Sequence, residues 1–292
     1  MKIVQGDELA LERGLEHRGG TFHFRRLMEG TPGTIDNFQL SYGVIEGDFF
    51  SPRHRHNFEQ FRFQLEGDLD YSRDGKLTPG MVGYFPEGLS YGPQNPSPGR
   101  NVTVVLQFGG ASGSGYMSRD ESKAGMEALT RIGRFEKGVF RRNDDVPGKR
   151  NMDGFQAIWE HVNGRPLEFP KPRYDRPVFM HPDAFAWLPA GDGVREKRLG
   201  CFTECATSAT LVRIAAGARY EADGRALYFT VSGDGSLAGE ALRPLTTLFL
   251  EAGEAATLIA GERPVELMRF GLPDLSALKR ARSPGHTAIA AE

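Results

Sequence analysis

The sequence predicts an all-β protein with two strand-rich halves separated by a helical insertion. Short apolar runs broken by glycine, proline and aspartate occupy residues 36–110, and the same pattern returns over residues 198–270. Between these halves the apolar spacing becomes that of helices. Short strands spaced in this way are typical of a sandwich or barrel. We therefore predict domains at 1–112, 113–195 and 196–274, with a tail at 275–292.

The first half contains one predicted edge strand followed by a series of core strands. Phe22 and Phe24 have the same parity and predict a half-buried strand, whose opposite face carries His23. The dipeptide Asp74-Gly75 predicts a hairpin. The core strands are predicted at 37–45, 58–65, 81–85 and 102–108.

Two helices are predicted in the insertion. Ser118 and Glu121 have the spacing of a capping box, and the helix that they begin is predicted to close at Gly133. A second helix is predicted over 153–163, with Gly164 as its stop.

The segments around and after these helices are predicted as a loop, a connector and further strands. The polar stretch 141–150 predicts a surface loop, and the proline-rich segment 165–195 predicts an extended connector between domains. Strands of the second half are predicted at 210–214, 227–231, 247–250, 256–259 and 265–270.

Composition excludes several classes of partner. Lys and Arg total 36 against 38 Asp and Glu, and this balance argues against binding to nucleic acid or to a membrane surface. The N-terminal residues lack the apolar segment of a signal peptide, and no apolar run approaches the roughly 20 residues of a membrane span. We therefore expect a cytoplasmic protein. Cys201 and Cys205 have no second cysteine pair, so neither a disulfide scaffold nor a cysteine metal site is expected.

An internal repeat relates the two halves. Residues 61–69 align without a gap on residues 227–235, so that Phe63 matches Phe229 and Gly67 matches Gly233. The same alignment matches three polar residues of the first copy with three residues of the second copy. None of the three residues in the second copy carries an imidazole group. The matched pairs are His54 with Tyr220, His56 with Ala222, and Gln60 with Ala226. The function is therefore predicted to lie in the first half.

The stretch SPRHRHNFEQFRFQLEG places two histidines one residue apart before an alternating run that ends in glycine. His54, His56, Gln60 and Gly67 stand at the spacings of the first cupin signature motif, which begins here at Gly47 with one extra residue before the histidines. Gln60 occupies the position of the usual glutamate. The chain thus resembles the cupin superfamily.

The stretch PGMVGYFPEGLSYGPQN resembles the second cupin motif. Gly80, Pro86, Gly88 and Asn95 fit that motif, whereas Tyr91 stands in place of its histidine. Together the two motifs imply two jelly-roll barrels in tandem, a bicupin, with the complete pair of motifs in the first barrel.

The resemblance implies a metal site that this chain alters. Cupin sites usually use three histidines and one glutamate, and here His54 and His56 remain, with Gln60 as the next predicted ligand. Two imidazoles suit Fe, Mn, Ni, Cu or Zn. Tyr91 is predicted either to ligate as phenolate or to act on the substrate. Strand alternation turns Glu59 away from the site. The alternative is a pocket lined by histidines that bind no metal.

The first motif is also similar to that of gentisate-type ring-cleaving dioxygenases, in which an Arg-Phe pair follows. Arg62 and Phe63 match that pair. The similarity implies Fe(II) and dioxygenation of an aromatic or dicarbonyl compound. Arg62, with the inward parity of Gln60, either pairs with a substrate carboxylate or forms a surface salt bridge, whereas Arg53 and Arg55 face outward.

Two other functions remain open at this point. One is a metal-poor cupin that binds a small ligand, and the other is a non-redox isomerase or lyase with Tyr91 as acid and base. Exposed sheet edges also make a homodimer an expectation.

Overall fold

The structure is a computed structural model that describes residues 1–14, 22–46, 49–276 and 278. Gly47, the first glycine of the cupin pattern, lies outside the described residues, as does most of the predicted tail at 275–292. Within the described ranges, no helix is long and apolar enough to cross a membrane.

The described chain is built mainly of strands. Those before the insertion are β1 (Lys2–Gln5), β2 (Glu12–Arg13), β3 (Phe22–Glu29), β4 (Phe38–Glu46), β5 (Glu59–Glu66), β6 (Leu69–Asp70), β7 (Lys76–Leu77), β8 (Val82–Phe85), β9 (Asn95–Pro96) and β10 (Arg100–Phe108). Those of the insertion are β11 (Gly133–Glu136), β12 (Val139–Arg142), β13 (Asn151–Asp153), β14 (Val178–Met180) and β15 (Leu188–Gly191). The rest are β16 (Val194–Cys201), β17 (Ser208–Ile214), β18 (Arg219–Asp223), β19 (Ala226–Ser232), β20 (Gly235–Leu237), β21 (Glu240–Leu242), β22 (Thr246–Leu250), β23 (Ala255–Ala260) and β24 (Val265–Gly271).

Two sheets of the described chain contain seven strands each, and their strand orders correspond. The first runs β14-β8-β5-β10-β4-β3-β2 and the second β1-β22-β19-β24-β17-β16-β15. Strand β5 thus occupies the place of β19, as the gapless alignment predicts. Smaller sheets, β7-β6-β9 and β18-β23-β20-β21, complete the two barrels. The all-β prediction of two tandem jelly-roll barrels is confirmed.

In each seven-stranded sheet, one edge strand comes from a part of the chain outside the half that supplies the other strands. Strand β1 pairs with β22 of the second sheet, with Lys2 opposite Phe249. Strand β14 of the proline-rich connector pairs with β8 of the first sheet, with Val178 opposite Tyr84. The connector is therefore not purely extended chain, since it also contains β15 and a 3-10 turn at Pro182–Ala184.

The insertion contains the two predicted helices, α1 (Arg119–Leu129) and α2 (Gly154–Asn163). The capping box of Ser118 and Glu121 is present, and Gly164 ends α2 in the left-handed conformation. The prediction that the first helix closes at Gly133 is wrong, because Thr130 caps it and Gly133 begins β11. The predicted loop at 141–150 begins inside β12, which extends to Arg142.

The predicted hairpin at Asp74-Gly75 is present, with a longer turn than a two-residue loop. Leu69 pairs with Leu77, and the connection contains a 3-10 turn at Ser72–Asp74. Gly75 follows with a φ of 118°, a conformation that glycine tolerates without strain.

The two barrels pack through their seven-stranded sheets. Odd-numbered residues of β5 point toward the second barrel, where the Phe61 ring lies 5.3 Å from that of Phe270. Across the same interface Phe38 lies 4.7 Å from Phe249. Even-numbered residues of β5 therefore point into the first barrel. This alternation decides which side chains can line an internal site.

Candidate functional site

The two cupin-like motifs are joined by backbone hydrogen bonds at the mouth of the first barrel. His54 and Tyr91 exchange two such bonds, with N···O distances of 3.1 and 3.0 Å. The amide of Gly88 donates to the carbonyl oxygen of His56 at 2.7 Å. These bonds hold the histidine segment against the segment that carries Tyr91.

The two histidines lie side by side and are almost completely buried. His54 is 7% exposed and His56 is 9% exposed, and their ring centroids are 4.8 Å apart in an edge-to-face arrangement. The Nδ1 atom of His54 lies 2.6 Å from the carbonyl oxygen of Pro52. Because a carbonyl accepts hydrogen bonds and cannot donate them, this contact favours the tautomer with the proton on Nδ1, in which Nε2 is the nitrogen that can bind a metal.

A hydrogen-bonded chain of buried and half-buried side chains lies beside the histidines. Gln60 donates from Nε2 to the hydroxyl of Tyr91 at 2.8 Å. Arg62 donates from Nη2 to Oε1 of Gln60 at 3.1 Å and from Nη1 to the hydroxyl of Tyr71 at 3.0 Å. Since a guanidinium only donates, the Gln60 atom that it contacts must be the oxygen. Arg62 and Gln60 point inward together, as strand parity predicts.

A cavity of about 180 Å³ opens beside the histidines. Such a cavity is smaller than the roughly 300–1,000 Å³ of sites for drug-sized ligands. Aromatic and other apolar side chains from the barrel and the insertion supply much of its wall. His54, His56 and Arg62 are among the lining residues, whereas Gln60 and Tyr91 are not. The cavity therefore meets the imidazoles directly and the Gln60–Tyr91 pair lies behind its wall.

The helical insertion closes part of this cavity, a contribution that the sequence patterns do not indicate. Arg119 is the first residue of α1 and Tyr116 lies just before that helix, whereas Phe155 and Ile158 lie on α2. Phe155 packs edge-to-face on His56 with ring centroids 4.7 Å apart. Burial raises the pKa of Tyr116 to about 12, so its phenol stays protonated at neutral pH. Alternating strands and helix caps give no signal for such contacts.

The side chains around the two histidines supply only part of a metal-binding site. The Nδ1–H···O=C bond of His54 is the kind that orients a metal-binding imidazole. In the described part of the chain, however, no group of three or more His, Cys, Asp or Glu side chains is placed to hold a metal. The oxygen of Gln60 already accepts from Arg62. The two imidazoles are suitable metal ligands by their chemistry, and the other positions of a bound metal would be left to small molecules.

The predicted outward residues lie where alternation places them. Arg53 is exposed and its Nη1 lies 2.6 Å from Asp74. Arg55 is exposed, with its guanidinium carbon 3.9 Å from the ring centre of Phe169. Glu59 points away from the histidines, as expected from the alternation of β5. Cys201 and Cys205 are free thiols.

Glu59 belongs to a second polar cluster that sequence patterns did not reveal. It and Glu87 are both fully buried, and Nη1 of Arg173 lies 3.9 Å from Glu59 and 2.9 Å from Glu87. Thr207 of the second half donates to Glu59 at 3.4 Å. Burial, followed by the negative charge of Glu87, raises the pKa of Glu59 to about 8. The cluster links the two barrels.

The interior of the second barrel contains an apolar core at the equivalent place. Tyr220 pairs with Leu258, as His54 pairs with Tyr91 in the first barrel. Ala222 and Ala226 are fully buried in this core. The donors of the first barrel thus have no counterparts at these three positions.

No family model matches the sequence, and no curated protein matches it. Solved structures do match. A protein from Nostoc punctiforme, provisionally assigned as a dioxygenase, has a TM-score of 0.61 and 9% identity, with 93% of this chain and 82% of that chain covered. A Bacillus subtilis oxalate decarboxylase with Mn(II) centres has a TM-score of 0.54 and 14% identity, with coverages of 93% and 77%. A protein from Geobacillus kaustophilus has a TM-score of 0.51 and 14% identity, with coverages of 93% and 97%. Identities this low show the fold alone, which is that of a bicupin.

Proposed function

We propose that the first barrel is a metal-dependent enzyme site that converts a small molecule, with dioxygenation of an aromatic or dicarbonyl compound as the reaction. The observation that carries this proposal is the buried, adjacent pair of His54 and His56 on the wall of a mainly apolar cavity. Concave, largely apolar pockets with a few converging polar groups are the usual form of small-molecule sites.

In this proposal His54 and His56 hold a divalent metal through their imidazoles. Fe(II) is favoured, with Mn, Ni, Cu or Zn as the other candidates. When bound, the metal supplies a Lewis-acidic template that holds substrate and O₂ together and exchanges electrons with them. The Pro52 carbonyl fixes the tautomer of His54. Phe155 packs against His56 and keeps water from that side of the ring.

The remaining predicted residues have supporting roles in this proposal. Arg62 lines the cavity and brings a positive charge to it, which favours a substrate with negative charge. It also holds Gln60 by its oxygen, and Gln60 in turn holds the hydroxyl of Tyr91. A ligand role for Gln60 or Tyr91 requires that this chain of bonds opens when the metal binds.

Two comparisons support the reaction class without determining it. The Nostoc punctiforme protein is assigned provisionally as a dioxygenase, and the Bacillus subtilis decarboxylase carries Mn(II) centres. A cytoplasmic homodimer that binds neither nucleic acid nor membranes remains our expectation.

The test begins with metal content. The protein is reconstituted anaerobically with Fe(II), desalted and analysed by elemental mass spectrometry, and about one metal per chain is expected. His56→Ala should lose most of this metal, whereas His161→Ala, an exposed histidine on α2, should keep it. O₂ uptake is then measured with phenolic acids and 1,3-dicarbonyls. Wild-type protein that stays far below stoichiometric metal would exclude the metalloenzyme.

One observation favours a second candidate function, a cupin that binds a small ligand without a metal or acts as a non-redox isomerase or lyase. Gln60 and Tyr91, at the usual glutamate and third histidine positions, are hydrogen-bonded to each other. The described residues also contain no group of three or more His, Cys, Asp or Glu side chains placed to hold a metal. Saturable substrate turnover in chelator-treated protein would identify the isomerase or lyase. Binding without turnover would identify the ligand-binding protein.

A further inference from the structure

Arg53 binds the backbone on both sides of Tyr91. Its Nη2 atom donates to the carbonyl oxygen of Ser90 at 2.5 Å, and its Nη1 atom donates to the carbonyl oxygen of Gly92 at 2.9 Å. A planar guanidinium presents its N–H groups in a fixed arrangement, so one side chain can hold two carbonyls at a defined separation. The residues before and after Tyr91 are therefore fixed by the same group.

Asp74 completes this arrangement from the hairpin that joins β6 to β7. Its Oδ2 atom accepts from Nη1 of Arg53 at 2.6 Å and from the amide of Gly92 at 2.9 Å. The Asp74 side chain is only 9% exposed, so its charge is largely shielded from water and depends on these donors. Arg53 and Asp74, which we call the clamp, thus join the histidine segment, the hairpin and the segment of Tyr91.

The clamp and the histidine segment hold Tyr91 along opposite edges of its backbone. On one edge, Tyr91 and His54 exchange backbone hydrogen bonds of 3.1 and 3.0 Å. The carbonyls of the neighbouring residues belong to the other edge, because backbone groups alternate in direction along an extended chain. Arg53 directly precedes His54, so both sets of bonds connect the same two segments. Together they fix the Tyr91 ring at 4.7 Å from the His54 ring, measured between centroids.

The corresponding arginine of the second half makes different bonds. The alignment that matches His54 with Tyr220 matches Arg53 with Arg219. Arg219 donates to the side chains of Glu221 at 2.5 Å and of Thr257 at 3.0 Å. The bonds from this arginine to two backbone carbonyls accompany the histidines in the first barrel. This difference favours a role for Arg53 in the histidine site over a general role in the barrel fold.

We propose that Arg53 and Asp74 are positioning residues that hold Tyr91 in place beside His54 and so prepare the site for its metal. This inference rests on the proposed function because it concerns the same site. Neither residue of the clamp is among those that line the cavity. Residues that orient metal ligands from outside typically change metal affinity about 10- to 100-fold when they are mutated.

The first experiment measures the ring position of Tyr91 by NMR in full-length, chelator-treated protein. The ¹H–¹³C ring signals are recorded in protein with labelled tyrosine, and Tyr91→Phe identifies the Tyr91 signal among the eight tyrosines. The Tyr91 ring lies 4.7 Å from the rings of His54 and Phe85. A displacement therefore changes the ring-current shift of its signal.

The variants remove one part of the clamp at a time. Arg53→Met and Asp74→Ala should each shift or broaden the Tyr91 signal. Arg53→Lys should do so less, because an ammonium group keeps the charge but lacks the planar fork. Arg219→Met is the matched control and should leave the Tyr91 signal unchanged.

The second experiment titrates Fe(II) into the same proteins by anaerobic calorimetry. Arg53→Met and Asp74→Ala should each lower the Fe(II) affinity about tenfold. The double variant should lose no more than the larger of the two single losses, because the two residues act as one unit. Arg219→Met should keep the affinity of the wild type.

The outcomes separate the clamp from the metalloenzyme. A Tyr91 signal that keeps its wild-type position in both Arg53→Met and Asp74→Ala overturns the clamp, as does a displaced Tyr91 with unchanged Fe(II) affinity. Equal disturbance of Tyr228, a buried tyrosine of the second barrel, would show general destabilisation and also overturns it. Displacement of Tyr91 alone, in protein whose wild type binds no Fe(II), supports the clamp and excludes the metalloenzyme.

Discussion

Gln60 donates a 2.8 Å hydrogen bond from its side-chain nitrogen to the hydroxyl of Tyr91. These are the two residues at which the chain departs from the cupin ligand pattern, and each is 1% exposed. In the cupin motifs that the chain resembles, the glutamate and the histidine at these two positions are metal ligands. Here the two side chains that replace them form a hydrogen bond with each other, so the two departures from the pattern are coupled.

The first prediction concerns this pair. The double variant Gln60→Glu with Tyr91→His restores the family donors and should bind a divalent metal at least about tenfold more tightly than the wild type, since carboxylate and imidazole are better ligands than amide and phenol. Each single change should give less than half of the gain in free energy, because the Tyr91 hydroxyl can donate to a carboxylate at position 60 and the Gln60 amide can donate to an imidazole at position 91, so each new ligand stays engaged by its old neighbour. Calorimetric metal titration measures all four proteins.

The matched control for this prediction is Tyr84→His, which places a histidine at a buried tyrosine outside the cavity lining. That variant should show the metal affinity of the wild type. Equal affinities for the wild type and the double variant would mean that the Gln60–Tyr91 pair does not lie beside a metal position.

The second prediction concerns two glycines of the second motif. Gly88 has a φ of 77°, and a Cβ added there would lie 1.9 Å from the carbonyl oxygen of Pro170. Gly80 has a φ of 87° with nothing within 4 Å. Gly80→Ala should cost about 1–2 kcal/mol of unfolding free energy, the cost of left-handed backbone for an L-residue. Gly88→Ala should cost clearly more, because the connector must also move. Urea unfolding compares them, and equal losses would contradict the close approach.

Much of the fold was predictable because local chemistry determines it. The inward parity of Gln60 and Arg62 follows from strand alternation, and the capping box at Ser118 follows from two side chains three residues apart. The correspondence of β5 with β19 follows from one repeat. These features each depend on residues close in the sequence or on a repeated pattern.

The cavity wall and the cluster between the barrels were not predictable from such patterns. Arg119 occupies the first turn of a helix, where an arginine ordinarily faces solvent, and nothing local shows that α1 lies against the first barrel. Glu59 and Glu87 meet Arg173 across long sequence distances. Both features depend on how complete elements pack, and a polar residue in a sequence does not show whether it is buried.

The third prediction is a pH dependence of stability set by Glu59. Its pKa of about 8 in the folded protein exceeds the ordinary value of 4.5. The stabilising contribution of protonated Glu59 to the free energy of unfolding is therefore fully present below pH 4.5. It is lost as the pH rises toward 8. Glu59→Gln stays uncharged, so it should match the wild type near pH 4.5 and exceed it by at least about 1 kcal/mol at pH 8.5. Urea unfolding of chelator-treated protein at several pH values measures this difference.

Glu204→Gln is the control for the pH dependence. Glu204 is an exposed carboxylate whose hydrogen bond to Arg173 lowers its pKa to about 2. Its contribution is present above pH 4.5 and is lost as the pH falls toward 2, so its removal should bring no gain at pH 8.5. If the difference in unfolding free energy between Glu59→Gln and the wild type does not grow between pH 5 and 8.5, Glu59 is ionised throughout that range.

The fourth prediction compares two arginines that face different surroundings. Arg173 lies against the fully buried Glu87, so Arg173→Met leaves that carboxylate without its ion partner and should cost about 3–5 kcal/mol of unfolding free energy. The Nε atom of Arg119 has no hydrogen-bond partner among the described residues. In Arg119→Met the lost stacking on Phe24 is offset by relief of the half-buried charge, so the stability should stay within about 1 kcal/mol of the wild type. Urea unfolding of ligand-free protein measures both variants, and methionine keeps a similar chain length in each. A loss at Arg119 as large as that at Arg173 would contradict the prediction and show that Arg119 contributes as much to stability as the ion pair of Arg173 with Glu87.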